Sequence, residues 1–186
     1  MDIATHSVTL ISIIIGIGLT EMFGNLHRLI RNPTQVTWDW LPVVWSAVLL
    51  LLVVNYWWAI YSGIIGINQL NNAAELGLVL VQPIILFLLT ASVLPNFGTA
   101  SEWDMRRYYE DHRRTFIFTF VLYQCVTTTV ALTVGTLGWN ISSGIRALIL
   151  VVLVLMVVLN KRRLDWVGVL AIMAVLIIRL TTQLTR

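Results

Sequence analysis

Charge is what this sequence has least of. Asp, Glu, Lys and Arg make up 11% of its 186 residues, where a soluble domain carries about 25%. So little charge excludes water as the only solvent. Cysteine is scarcer still. Cys125 stands alone inside an apolar run, which excludes a disulfide within one chain and any multi-cysteine metal site. Reaction signatures are missing as well: there is no P-loop, no dinucleotide-binding glycine pattern, no HExxH and no GxSxG. No Lys or Arg precedes the first apolar run, and no small-residue cleavage pattern follows it, so no cleavable signal is expected.

What is present is grease: 58% of the residues are hydrophobic. A helical membrane span needs roughly 20 apolar residues, and six such stretches can be drawn: Val8–Ile30, Leu41–Gly63, Leu76–Phe97, Arg114–Thr136, Ser143–Asn160 and Leu164–Leu184. Together they use most of the chain. The expected fold is an all-α membrane protein, a single domain over residues 1–186 built as a bundle of six transmembrane helices.

The positive charges fix an expected orientation. The connections after spans one, three and five hold Arg28, Arg31, Arg106, Arg107, Arg113, Arg114, Lys161, Arg162 and Arg163, nine of the twelve basic residues. Positive connections stay in the cytoplasm, so both termini are expected outside. The net charge of +3 is therefore read as orientation, not as a nucleic-acid surface. Trp38, Trp40, Trp45, Trp103 and Trp166 fall near the inner boundary, and Trp57, Trp58, Tyr61 and Trp139 near the outer one. Aromatic rings anchor at such interfaces.

The most charged run, "RRYYEDHRRTF" (106–116), follows the third span. A short interfacial helix is expected there, opened by a Ser101–Asp104 capping box. Asp104 would face Arg107, and Glu110 would face Arg113 or Arg114. Arg106, Arg107, Glu110, His112, Arg113 and Arg114 form a candidate inner-face cluster, an electrostatic gate or a contact for lipid headgroups.

Glu21 is the only acid well inside a span, where a charge costs several kcal/mol. Gly18, Glu21, Asn25 and Arg28 share one helical face. Ser12, Gly16, Thr20 and Gly24 recur every four residues beside it, the spacing that lets helix backbones approach closely. The first span is therefore expected to be a buried packing helix. Glu21 either fixes that packing through hydrogen bonds or serves as an ion or proton site. Arg179 is the basic counterpart in the sixth span, in the other leaflet. Glu21, Asn25, Arg28 and Arg179 are the candidate pathway residues.

Asn55, Gln82, Gln124 and Thr127–Thr129 are read first as interhelical hydrogen-bonding residues, with a pore lining as the alternative. Pro83 is expected to interrupt the third span. His27 and His112 both fall near the inner boundary, so haem or quinone binding is a third-ranked reading behind solvated histidines. No cofactor and no metal are expected. "NIS" (140–142) fits a glycosylation acceptor.

"SIIIGIGLTEMFGNLHRLIR" (12–31) and "WDMRRYYEDHRRTF" (103–116) resemble segments of a family of small bacterial multi-pass inner-membrane proteins. The resemblance implies a bacterial inner-membrane setting and transfers no catalytic residues. The expected function is transport-like and non-enzymatic, a homo-oligomeric channel or an ion or proton pathway. The alternative is an accessory or scaffold subunit of a larger membrane complex; the third is a redox or lipid-modifying enzyme. Lipids and either self-association or a larger complex are the expected partners, with no nucleic acid.

Overall fold

The computed structural model describes residues 3–62, 73–96, 103–133 and 141–184. Ser101, Trp139, Asn140, the connection at 63–72 and the expected span ends at Gly63, Phe97 and Thr136 lie outside these residues.

Each of the six apolar stretches is a helix: α1 (Ile3–Arg31), α2 (Trp40–Tyr61), α3 (Ala73–Ser92), α4 (Met105–Thr133), α5 (Ile141–Leu159) and α6 (Arg162–Leu184). Four of them hold segments long and apolar enough to cross a membrane: His6–Arg31, Trp40–Tyr61, Met105–Leu132 and Arg162–Thr182. α3 and α5 contribute the shorter apolar segments Val79–Ser92 and Gly144–Leu159.

Local chemistry sets the helix ends. Asp39 accepts from the Leu41 N–H at 3.1 Å and so caps α2. Pro42 follows in the first turn, where its missing N–H takes no bond from the helix. Asp104 caps α4 in the same way, accepting from Arg106 N at 2.9 Å and Arg107 N at 3.0 Å. Asn160 adopts φ 44° after α5. That left-handed conformation suits Asn, and it lets α6 begin two residues later.

Two expectations are corrected here. The charged run is not a separate interfacial helix. No Gly or Pro lies between Met105 and Thr133, and Asp104 is the cap, so the run forms the first turns of an unbroken α4. Pro83 does not interrupt α3 either. It removes one backbone donor, a loss that a surrounded apolar helix tolerates.

α2 is apolar on all sides, the pattern of a helix enclosed by others. Helices α2 to α6 close a ring: α3 packs on α4, α4 on α5, α5 on α6, α6 on α2, and α2 on α3. Trp45 is fully buried and meets Phe116 and Phe120 edge-on, with ring centroids 5.2 and 5.7 Å apart. α1 lies outside the ring, chiefly against α3. Its buried face is Ile11, Ile15, Gly18, Met22, Asn25 and Leu29.

The basic connections meet at one end of the bundle. A short parallel strand pair, β1 (Val36–Thr37) with β2 (Trp103–Asp104), joins the entrances of α2 and α4. Arg162, from the start of α6, forms ion pairs with Asp39 and, at 3.1 Å, with Glu110. Glu110 also pairs with Arg106 at 2.9 Å. The opposite, or far, end holds the close of α2 and α6 and the start of α3 and α5.

Candidate functional site

Two polar centres form inside the ring, one at each end. They differ in whether their charges are paired.

At the basic end, Arg113 of α4 is buried against Asp165, which stands in the first turn of α6 and is 1% exposed. Nε and Nη2 of Arg113 donate to the two carboxylate oxygens at 2.6 and 2.7 Å. This is the bidentate fork that makes Arg–carboxylate pairs strong and directional. Two further donors are used: Nη1 reaches Asn160 Oδ1 at 2.5 Å, and Nη2 reaches the Met156 carbonyl at 2.6 Å. Tyr109 donates to Asp165 at 3.3 Å and accepts from the Trp45 indole N–H at 3.3 Å. The network therefore ties α2, α4, α5 and α6 together, with every charge answered.

At the far end the situation is reversed. A cavity of about 60 Å³ is lined by residues from all five ring helices. α2 supplies Asn55 and Tyr56, α3 supplies Gln82, α4 supplies Tyr123, Gln124 and Thr127, α5 supplies Arg146 and α6 supplies Arg179. At 1.5 Å per residue, Arg146 and Arg179 stand about 8 Å in from the ends of their helices, so they share a depth. Both side chains line the same cavity. Among the described residues no carboxylate lines the cavity and neither arginine has an acidic partner.

The neutral groups around them are also incompletely matched. Among the described residues, five buried side-chain polar atoms have no hydrogen-bond partner. Four belong to the cavity lining: Asn55 Oδ1, Tyr56 OH, Gln82 Oε1 and Arg146 Nε. Asn55, Tyr56 and Gln82 are each at least 95% buried. Proteins leave few such groups without a partner, because each costs about 1–3 kcal/mol. Their convergence on one cavity marks a site built for polar contents. Leu52, Ala59, Val130, Ile149 and Leu176 complete the wall with carbon.

The sequence candidates distribute unevenly over this frame. Arg179 lines the cavity. Glu21 is partly exposed on α1, outside the ring, and is not in the cavity lining. The structure therefore does not bring Glu21 and Arg179 together. Asn25 is buried on the α1 face that packs toward α3, its Nδ2 unpartnered, while Arg28 is exposed.

The small-residue ladder is not the packing face of α1. A Cβ added at Gly16 or Gly24 would meet nothing within 4 Å, and Ser12 and Thr20 bond to carbonyls of their own helix. Gly18 is the close contact, with Thr90 and Phe87 of α3 against it. α1 is correspondingly a one-sided helix rather than an enclosed one.

Of the inner-face cluster, Arg107 and Arg114 are exposed, and His112 stacks on Tyr108 with centroids 4.5 Å apart. Glu110 pairs with Arg106 and Arg162, not with Arg113 or Arg114, because Arg113 turns inward to Asp165. Asp165 and Arg146 were not among the sequence candidates. Each stands near a helix end, where a charge attracts no notice. Asn55, Gln82, Gln124 and Thr127, for which interhelical hydrogen bonding is the first expectation and a pore lining the alternative, line a shared cavity. No group of three or more potential metal ligands occurs among the described residues.

No family model, curated protein or solved structure matches this chain.

Proposed function

We propose that this chain is a non-enzymatic, transport-like protein of the bacterial inner membrane, with six spans and both termini outside, that receives an anion in the far-end cavity. One observation carries the proposal: Arg146 and Arg179 line one cavity inside the ring, and among the described residues no carboxylate lines it with them. Two unpaired cations in such a place are costly, and an anion between them removes the cost. Charged side chains within spans mark substrate and ion pathways more often than packing.

The positive-inside asymmetry supports the orientation. The nine basic residues of the connections gather at one end, and the cavity arginines, Arg146 and Arg179, stand toward the other. An outward-facing anion site follows. Glu21, off the ring, has no part in it.

Flux in proteoliposomes tests the proposal. Anion efflux should fall at least tenfold in Arg146→Gln and in Arg179→Gln, and should be unchanged in Glu21→Gln. Efflux indifferent to both arginines would remove the cavity from any pathway. A second reading, an accessory subunit or homo-oligomer, is favoured by the Ser12–Gly16–Thr20–Gly24 ladder on α1, where Gly16 and Thr20 are exposed and Ser12 and Gly24 half-buried. Its support would be stoichiometric copurification of another chain, or a fixed oligomer in detergent that Gly16→Leu disperses.

A further inference from the structure

Resting on the anion reading above, we propose that the far-end cavity takes a particular kind of anion: an oxyanion that carries its own hydroxyl groups, as in a polyol phosphate. The hydrogen-bonding inventory of the walls leads to this. Arg146 and Arg179 are donors only, and a guanidinium fork matches phosphate and carboxylate oxygens. That half of the site calls for an oxyanion.

The other half calls for the opposite. Asn55 donates its Nδ2 to the Leu51 carbonyl at 2.9 Å, which fixes the amide so that Oδ1 is left free and buried. Gln82 likewise leaves Oε1 without a partner. Both are acceptors. A halide or a sulfate offers them no hydrogen and brings negative charge near their oxygens. A hydroxyl beside the anionic group satisfies them, and Tyr56 OH can either give or accept.

The carbon part of the ligand would lie against Leu52, Val130, Ile149 and Leu176. The same chemistry could come from a free polyol phosphate or from the headgroup of an anionic phospholipid such as phosphatidylglycerol.

Calorimetric binding to the purified full chain tests this, with glycerol 1-phosphate, sulfate and glycerol as probes. Glycerol 1-phosphate should bind at least tenfold more tightly than sulfate, and glycerol should not bind. Asn55→Leu should bring glycerol 1-phosphate down to the level of sulfate while sulfate is unchanged; Gln82→Met gives the same comparison if the first variant fails to fold. Arg179→Gln should abolish binding of both anions. Repeating the titration in nanodiscs of phosphatidylglycerol and of phosphatidylcholine separates the sources. Loss of the signal only in phosphatidylglycerol assigns the site to the lipid headgroup, and an unchanged signal assigns it to the free solute. Sulfate binding as tightly as glycerol 1-phosphate would overturn the hydroxyl requirement while leaving the anion reading in place. Binding of neither anion would overturn both.

Discussion

Arg113 and Asp165 illustrate how much one residue pair can hold. Both are buried, and each is the other's neutralising charge. Removing one partner leaves a bare charge inside, which costs about 3–5 kcal/mol. Asp165→Leu and Arg113→Met should each lower the thermal unfolding temperature in detergent sharply. The double change Arg113→Met with Asp165→Leu should recover most of the loss, since an apolar pair needs no neutralising. Additive losses in the double variant would contradict the pairing. The sequence contains both residues in plain sight but not their relation. They are 52 positions apart, and nothing local distinguishes Arg113 from Arg114 beside it. Only the helix phase of α4 turns one inward and the other out.

At the scale of elements, the reading of apolar runs as helices succeeded because length and hydropathy are local properties. The choice of contacts between helices is not local. Spacing of small residues pointed to Gly16 and Gly24 as the packing edge of α1, yet α3 meets Gly18. The two stripes are adjacent on the helix surface, and composition cannot choose between them. Gly18→Val should separate α1 from α3, because a Cβ there would meet the Phe87 backbone as well as the Thr90 hydroxyl. A loss of about 1–3 kcal/mol is expected from such overpacking. Gly16→Ala and Gly24→Ala should leave stability within about 0.5 kcal/mol. Equal losses at all three positions, measured by unfolding in one detergent, would show that the packed face has been misidentified. The charged elbow follows the same logic: its residues were recognised as helical, but the continuity of that helix with α4 depended on the absence of a breaker across 29 residues.

At the scale of the whole molecule, the bundle is polarised. One end carries paired charges: Arg113 with Asp165, and Arg162 with Asp39 and Glu110. The other carries Arg146 and Arg179 around a cavity that has no carboxylate in its lining among the described residues. The polarity of the connections was legible in the sequence from a count of arginines and lysines. The cavity was not, because its walls come from five helices spread over the chain, and each polar residue alone is ordinary. The central claim is that this cavity is electropositive and reached from the end opposite the basic connections.

Charge-selective labelling tests that claim most directly. Cys125 is the chain's only cysteine, so Cys125→Ser gives a silent background in which Thr127→Cys reports on the cavity wall. Modification by an anionic methanethiosulfonate should be at least tenfold faster than by its trimethylammonium analogue. It should proceed from the outer membrane face, and the preference should vanish with Arg146→Gln and Arg179→Gln. Equal rates for the two reagents, or faster reaction with the cation, would contradict the account.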